Sequence, residues 1–367
     1  MFRLLVAGGG TGGHLFPGVA VAEEFLRRDS QAEVLFVGTG RPVEAEVLGR
    51  LGLAGRKITA AGFKGKGLAG RLRSLAALPA GLAQSAVIIS DFKPDMVFGV
   101  GGYVSGPVGL ASRIMGRPLA IHEQNSVPGM ANRLLGRIAN LVFISFESAR
   151  GFFPAGKTHL TGNPIRQEIA ASAGRERLEE TDRFVLLVVG GSQGAHAVNM
   201  AVVEAMRVLD PRESVLKVIH QTGTADYDMV EDAYREMGVE AEVRPFIQDM
   251  GRVYSAADLV IGRAGALTVA EIAAMGRPAV FIPLPGAANN HQEINARSLA
   301  EVGAAEIILQ KDLTPDLLSE RLKRLVQDKT VLKKMAEAAA QAARPDAASA
   351  ICDICLECLA GKAGRGS

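Results

Sequence analysis

Short runs of apolar residues recur along the chain, and stretches with helical periodicity lie between them. Phe2–Ala7 is the first such run, and a helix is predicted from about Pro17 to Arg27. Apolar runs of this length, bounded by glycine or polar residues, are typical of strands buried on both faces. Strands that alternate with helices predict right-handed βαβ units and parallel sheets. The predicted strands are residues 2–7, 33–37, 96–99, 120–122, 141–144, 184–189, 215–220, 241–244, 259–261, 279–282 and 306–309.

The succession of a strand, a glycine-rich turn and a helix occurs twice, once at the start of each half of the chain. Gly8–His14 follows the first strand, and Gly190–Ala195 follows the strand at 184–189. At 367 residues the chain is too long for one ordinary core. We therefore predict an α/β fold of two Rossmann-like parallel-sheet domains that face each other across a cleft, where a ligand binds. The predicted domains are 1–162 and 163–340, and a helix at about 341–360 is expected to pack back on the first domain.

The stretch Gly262–Glu271 follows a buried strand and opens a helix. Unpaired backbone N–H groups at such a helix start, together with the helix dipole, suit a diphosphate. Arg263 adds a fixed charge at the mouth of this loop, and Glu271 is placed to accept hydrogen bonds from sugar hydroxyls. An alternative stays open, because Thr268–Glu271 also fits a capping box in which Glu271 only satisfies backbone donors.

A dinucleotide fingerprint is present at Gly8, Gly10 and Gly13, but it is incomplete. The second strand ends at Val37-Gly38-Thr39 without the acidic residue that would hold a nicotinamide ribose, so a dehydrogenase is disfavoured. His14 follows the glycines directly and is predicted to point into the cleft as a proton carrier. A histidine bonded only to backbone at a helix start is the alternative.

Other polar segments also follow predicted strands, where open α/β sheets bind ligands. His122–Asn125 is predicted to read sugar hydroxyls, with a simple polar turn as the alternative. Gly101–Pro107 and Asn289–Glu293 occupy equivalent positions. Phe246, Ile247 and Met250 offer a flat apolar surface for a base, although Phe246 could equally belong to the core.

Composition supports this class and shows an uneven charge. The chain is 48% hydrophobic, with 42 glycines and no tryptophan, as in a soluble α/β protein. Residues 1–162 carry 18 Lys and Arg against 10 Asp and Glu, whereas the whole chain has a net charge of +2. A basic first half predicts contact with an anionic lipid surface. Nucleic acid is not expected as a partner, because aromatic-rich basic runs of the RNA-module type are missing. We see no signal peptide or membrane span, which predicts a cytoplasmic protein that touches a surface.

Three cysteines lie in the tail, at Cys352, Cys355 and Cys358. Their spacing resembles part of an iron–sulfur sequence, but a fourth ligand is missing. On a helix the three share one side, so we predict that they pack as a core stripe and not as a metal site.

Six ordered motifs resemble those of the MurG family, the UDP-N-acetylglucosamine:lipid I N-acetylglucosaminyltransferases of peptidoglycan synthesis. The match spans essentially the whole chain. The motifs are residues 9–14, 101–107, 122–125, 162–166, 190–195 and 263–271. The resemblance implies a GT-B fold, with UDP-N-acetylglucosamine (UDP-GlcNAc) bound by the second domain and the lipid acceptor by the first. It also implies inverting transfer to the C4 hydroxyl of the muramyl sugar of lipid I, without a metal or other cofactor.

The resemblance assigns roles to individual residues. His14 is the first choice for the catalytic base and Glu123 the second, and both line the acceptor pocket with Tyr103. The implied donor-site residues are Thr11, Gly12, Gly13, Asn125, Arg166, Ser192, Phe246, Ile247, Met250, Arg263, Ala266, Leu267, Thr268, Glu271, His291 and Gln292. Within this set Glu271 takes the ribose hydroxyls, and Asn125, His291 and Gln292 contact GlcNAc. Asn289 and His291 depart from the family pattern, which often has Asp and Gln at these positions.

A lipid-anchored acceptor implies a peripheral protein at the cytoplasmic face of the inner membrane, near other cell-wall synthesis proteins. Phe63–Leu68, with Leu72, Leu75, Leu78 and Leu82 and the neighbouring Arg71 and Arg73, predicts a basic and apolar face on the first domain. Packing of this helix on its own sheet would explain the leucines equally well.

Three other functions remain open at this point. One is a GT-B transferase with a different acceptor, such as a diacylglycerol or a soluble aglycone. Another is a non-catalytic nucleotide-sugar binding module. A UDP-GlcNAc epimerase shares the two-domain build and would need no acceptor.

Overall fold

The computed structural model describes residues 2–9, 12–60, 68–173, 183–191, 194–209, 216–287 and 290–363, with backbone only for 68–77 and 362–363. The chain divides into two compact units. Unit 1 comprises Met1–Gln167 and Asp346–Ser367, and unit 2 comprises Glu168–Pro345. The division therefore lies a few residues beyond the boundaries expected at 162 and 340.

Unit 1 is built on a seven-stranded sheet in the order β3-β2-β1-β4-β5-β6-β7, and all of its pairings are parallel. Strand β1 is an interior strand of this sheet, and its apolar residues enter the cores on both faces. Leu4 and Val6 contribute to the core on one face, and Leu5 and Ala7 to the core on the other. The strands are β1 Arg3–Ala7, β2 Glu33–Gly38, β3 Ala54–Lys57, β4 Met96–Gly99, β5 Leu119–Glu123, β6 Leu141–Ile144 and β7 Thr158–Leu160.

The helices of unit 1 cover both faces of this sheet. They are α1 Gly12–Arg28, α2 Pro42–Arg50, α3 Leu68–Phe92, α4 Gly102–Ile114, α5 Met130–Ile138 and, from the end of the chain, α14 Ala347–Ala363. Helix α14 packs against α1 within one core. Cys352 and Cys355 are fully buried there and Cys358 is partly buried, which confirms the core stripe.

Unit 2 repeats the arrangement on a six-stranded parallel sheet in the order β10-β9-β8-β11-β12-β13. Numbered within the unit, this is 3-2-1-4-5-6, the Rossmann order. The strands are β8 Phe184–Val189, β9 Leu216–Gln221, β10 Glu240–Arg244, β11 Leu259–Gly262, β12 Ala279–Phe281 and β13 Ala305–Ile307. The helices are α7 His196–Leu209, α8 Tyr227–Met237, α9 Met250–Ala256, α10 Ala266–Ala274, α11 His291–Ala300, α12 Pro315–Gln327 and α13 Lys329–Ala342, and a short helix α6 Gln167–Ala170 lies at the start of the unit.

The structure corrects one boundary that matters for the site. Helix α1 begins at Gly12 and not near Pro17, so Pro17 lies inside it. Gly12, Gly13 and His14 therefore form the first turn of a helix instead of a loop.

Some predicted features fall outside the described residues. These are Gly10, Thr11, Ser192, Gln193, Asn289, residues 63–67 of the predicted basic and apolar face, and the side chains of Leu68, Arg71, Leu72, Arg73 and Leu75. Further along that segment Leu78 is exposed, whereas Leu82 packs against the core of unit 1. Within the described part of the chain, no helix combines the length and the apolar character that crossing a bilayer requires.

Candidate active site

Helix α10 starts at the carboxyl end of β11 without a side-chain cap. Gly265 is its N-cap, with φ −63° and ψ 143°, and the helix proper begins at Ala266. The N–H groups of Ala266, Leu267 and Thr268 have no carbonyl within the helix to bond, because the first turn of any helix lacks such partners. They present three donors at the positive end of the helix dipole, which is the arrangement that binds phosphate.

The capping-box alternative for this segment is wrong. It required Thr268 as the N-cap, but Thr268 is the third residue of α10. Glu271 consequently lies in the second turn, where it is only 2% exposed. Its Oε2 atom accepts a long hydrogen bond of 3.5 Å from the hydroxyl of the buried Tyr254.

Arg263 joins the ends of two strands below this helix start. Its Nη1 atom donates to the carbonyls of Ile282 at 2.9 Å and Pro283 at 3.2 Å. Its Nη2 atom donates to Oε1 of Gln310 at 2.7 Å. Burial lowers the pKa of Arg263 from its ordinary value, but an arginine stays charged at neutral pH. The result is a positive charge held in a fixed position by the segments that follow β12 and β13.

Asn295 is a second support for this loop, and the sequence analysis did not identify it. Its fully buried side chain donates from Nδ2 to the carbonyl of Ala264 at 3.2 Å. No motif marks Asn295 in the sequence, because its partner Ala264 lies 31 positions away along the chain.

The loop after β10 exposes one aromatic ring above buried apolar side chains. Phe246 is 49% exposed, which excludes the core interpretation of this residue. Ile247 and Met250 are both 5% exposed and lie inside unit 2. An exposed ring at a strand's carboxyl end is suited to stacking with a nucleobase.

The loop after β12 closes on the start of α11. Gln292 accepts a hydrogen bond at Oε1 from the backbone N–H of Leu284 at 2.9 Å. Asn290 has the left-handed φ of 55° just before His291, the first residue of α11. His291 and Gln292 are thus placed in the first turn of a helix, as His14 is in unit 1, and both are partly exposed.

In unit 1, His14 lies against the glycine turn after β4. A Cβ atom at Gly101 would stand 3.1 Å from Cδ2 of the His14 ring and 3.3 Å from Nδ2 of Asn132. Gly101 also has a φ of 87°, a backbone conformation that favours glycine, and a Cβ atom there would be in close contact with both side chains. Tyr103 follows in the first turn of α4 with half of its side chain exposed.

Glu123 is a buried carboxylate that holds a loop. Its Oε1 atom accepts from the backbone N–H and side-chain amide of Asn125, at 3.0 and 3.3 Å. Its Oε2 atom accepts from the N–H of Gly129 at 3.2 Å and from Nδ2 of Asn132 at 2.9 Å. Burial raises the pKa of Glu123, although these hydrogen bonds act in the opposite direction.

The neighbours of Glu123 are also interior. The Nε2 atom of His122 donates to the carbonyl of Gly162 at 3.1 Å, and burial lowers the pKa of His122 to about 4. The Nε2 atom of Gln124 donates to the carbonyl of Val100 at 2.9 Å. Of the residues His122–Asn125, only Asn125 is partly exposed. The polar-turn alternative therefore describes three of the four side chains better than a sugar-reading role.

Several buried amide atoms near this turn have no hydrogen-bond partner among the described residues. They are Oε1 of Gln124, Oδ1 of Asn132, and both Nδ2 and Oδ1 of Asn163. Buried polar atoms are normally paired, and each unpaired one costs about 1–3 kcal/mol. The polar interior beside Glu123 is therefore less completely paired than Glu123 itself.

Arg166 lies in unit 1, with its guanidinium 5.3 Å from the centroid of the Phe16 ring on α1.

In unit 2, Asp226 is bonded to His196 at 2.9 Å and to Asn199 at 2.7 Å. Among the described residues, no group of three His, Cys, Asp or Glu side chains is arranged to hold a metal ion.

Comparison with known proteins identifies the family. Residues 4–144 match the glycosyltransferase family 28 N-terminal domain, and residues 185–351 match the C-terminal domain of the same family. A transferase of Geobacter metallireducens is 50% identical over 353 residues, which cover 96% of this chain and 97% of the relative. That relative is named UDP-N-acetylglucosamine–N-acetylmuramyl-(pentapeptide) pyrophosphoryl-undecaprenol N-acetylglucosamine transferase. The chain belongs to the MurG family.

Two further relatives agree with this assignment. The Geobacter sulfurreducens transferase of the same name is 49% identical and covers 96% of this chain and 97% of its own. The crystal structure of Acinetobacter baumannii MurG superimposes with a TM-score of 0.75 at 34% identity, covering 96% of this chain and 99% of that one. The MurG resemblance predicted from six motifs is thereby confirmed, as is the fold of two Rossmann-like parallel-sheet domains.

Membership of the MurG family makes the chain a glycosyltransferase. The roles of the single residues stay predictions.

Proposed function

We propose that the chain transfers GlcNAc from UDP-GlcNAc to the C4 hydroxyl of the muramyl sugar in lipid I, forming lipid II and UDP. The observation that carries this proposal is the 50% identity over 96% of the chain to a transferase whose name specifies both substrates. The bond from the anomeric carbon to the diphosphate breaks as the bond to the acceptor oxygen forms, and the configuration inverts.

Unit 2 holds the donor in this proposal. The N–H groups of Ala266, Leu267 and Thr268 at the start of α10 bind the diphosphate. The resemblance assigns Ser192, in the glycine-rich segment that follows β8, to the same ligand. Phe246 stacks on the base, which its exposed ring favours. Glu271 binds the ribose hydroxyls. His291 and Gln292 contact GlcNAc. The resemblance also assigns the unit 1 residues Thr11, Gly12, Gly13, Asn125 and Arg166 to donor binding.

When the bond between the anomeric carbon and the diphosphate breaks, negative charge develops on the diphosphate of the departing UDP. The α10 start and the fixed charge of Arg263 stabilise that charge without having to move. Fixed donors of this kind are among the largest contributions to catalysis.

His14 is the proposed general base, which takes the proton of the acceptor hydroxyl. Its partly exposed ring in the first turn of α1 and its position beside the exposed Tyr103 turn favour this role. Glu123 is the weaker candidate, because its two oxygens already accept four hydrogen bonds inside unit 1. We therefore assign Glu123 to positioning Asn125 and the loop that follows it.

The acceptor is anchored in a membrane, so we propose a peripheral location at its cytoplasmic face. The adjacent helices α4 and α5 expose apolar side chains, of which Ile114, Met130 and Leu134 are more than half exposed. Arg113, Arg117, Arg133 and Arg137 lie on or beside the same helices. Apolar insertion combined with basic residues is how amphipathic surfaces bind anionic lipid.

The proposal is tested by incubating the chain with UDP-GlcNAc and a short-chain lipid I analogue. We expect UDP and a GlcNAc–MurNAc disaccharide product. Parallel reactions with a diacylglycerol and with a soluble aglycone test other acceptors. Transfer to one of these in preference to the lipid I analogue would contradict the proposal, and an altered sugar released without any acceptor would indicate an epimerase.

A further inference from the structure

Gln221 connects two loops of unit 2 that are far apart in sequence. It is the last residue of β9, and its side chain is buried with 3% of the residue exposed. Strand β9 lies between β8 and β10 in the sheet. Gln221 therefore stands at the carboxyl edge with one strand-end loop on each side.

The two ends of the Gln221 amide reach these two loops. Its Nε2 atom donates to the carbonyl of Gly191 at 3.0 Å, in the glycine loop after β8. Its Oε1 atom accepts from the N–H of Ile247 at 2.9 Å, in the loop after β10. A glutamine provides a donor and an acceptor on one planar group, which no other side chain of this length does.

Backbone hydrogen bonds join the same segments at their bases. The N–H of Thr222 donates to the carbonyl of Arg244 at 3.0 Å, and the N–H of Gly223 donates to that of Pro245 at 3.1 Å. These bonds set the spacing of β9 and β10. The side chain of Gln221 adds the connection from the glycine loop to the residue next to Phe246.

We infer that Gln221 is a positioning residue. It holds the glycine loop after β8, which binds the phosphates in the proposed function, at a fixed distance from the loop after β10, which binds the base. This inference rests on the proposed function, in which these two loops bind opposite ends of UDP. A ligand that engages both loops gains affinity because the second contact forms at a high effective concentration. Loss of the connection weakens UDP, which spans both loops, more than uridine, which needs only one.

Two variants of the full chain distinguish the two hydrogen bonds of the Gln221 side chain. Gln221→Met keeps the length and removes both hydrogen bonds. Gln221→Glu keeps an acceptor for Ile247 and loses the donor to Gly191. Asn140→Leu is the control, because Asn140 accepts from the backbone N–H of Leu119 in unit 1 and belongs to neither of the two loops that Gln221 connects.

The experiment measures dissociation constants for UDP and uridine by calorimetry, and kcat and KM for UDP-GlcNAc. We expect both Gln221 variants to weaken UDP by about tenfold and uridine by less than about threefold. We expect KM to rise while kcat at saturating donor changes by less than about threefold. The control should leave the UDP-to-uridine ratio unchanged.

Equal weakening of UDP and uridine, or unchanged UDP binding, in a chain whose wild type binds UDP would overturn the inference. If Gln221→Met does not fold, the ratio measured for Gln221→Glu decides the question alone. A wild-type chain that binds neither UDP nor UDP-GlcNAc would instead overturn the proposed function, and this inference with it.

Discussion

His14 and Glu123 are the two candidates for the catalytic base, and their surroundings differ. His14 lies in the first turn of α1, beside the glycine turn that follows β4. Glu123 is interior, and both of its oxygens are occupied by amide donors. A base must reach the proton that it removes, so these surroundings favour His14.

Replacement of His14 by Ala is expected to lower kcat by about 10²–10⁴-fold, the usual contribution of a general base. UDP-GlcNAc affinity should change little, because His14 is placed on the acceptor side. Steady-state kinetics and donor titration check this. Collapse of donor binding with turnover of bound substrate intact would show that the assignment is wrong.

Replacement of Glu123 by Gln tests its loop-holding role. One carboxylate oxygen becomes an NH₂ group that faces N–H donors, so the free energy of unfolding should fall by about 1–3 kcal/mol. Denaturant titration measures this loss, and Asn125 should bind substrate less well. A variant that keeps its stability but loses the rate as completely as His14→Ala would instead identify Glu123 as a base.

At the scale of elements, the central feature is the start of α10. This helix has no side-chain cap and follows the buried strand β11. The side chains of Arg263 and Asn295 fix the loop between the strand and the helix by hydrogen bonds. The strand and the small-residue loop were predictable, because an apolar run followed by Gly and Ala has few alternatives. The supports were not, since they join residues that are 19 to 47 positions apart.

The variant Ala266→Pro removes one N–H donor and allows α10 to form. Proline fits the first helical position, and the extended Gly265 before it is compatible with proline. We expect UDP affinity to fall by about tenfold, the value of one hydrogen bond to a charged group. Calorimetry with UDP measures this effect.

Lys329→Pro is the matched control, because Lys329 is the exposed first residue of α13. It should leave UDP binding unchanged. Equal UDP affinity in Ala266→Pro and wild type would show that the backbone of α10 does not bind the diphosphate.

The strands that sequence missed have a common physical reason. Strand β3 consists of Ala54, Gly55, Arg56 and Lys57, and all four are exposed. Strand β7 has only three residues. Both lie at the edges of their sheet, where little burial is required and no apolar run marks them. The glycines at the start of α1 were likewise interpreted as a loop, because glycine disfavours helix.

At the scale of the whole molecule, each unit buries a neutral histidine. Burial lowers the pKa of His122 in unit 1 to about 4 and that of His220 in unit 2 to about 3. The unfolded chain binds a proton near pH 6.5 at each position, so it binds more protons than the folded chain below that pH. Stability should therefore decrease as pH falls from about 6.5 towards the folded pKa.

For His220 alone, the expected loss of unfolding free energy between pH 8 and pH 5 is about 2 kcal/mol. Chemical denaturation of wild type and His220→Gln at both pH values measures it, and the variant should lose less on acidification. Glu123 acts with the opposite sign, because its raised pKa favours the folded state as pH falls. Identical pH dependence in wild type and variant would show that His220 is not a buried neutral group.

The most direct test of the whole account is the stoichiometry of UDP release and disaccharide formation in one reaction with UDP-GlcNAc and a lipid I analogue. We expect one disaccharide for each UDP, and negligible UDP release when the acceptor is left out. UDP release at the same rate without acceptor, or a product without GlcNAc bonded to the muramyl sugar, would contradict it.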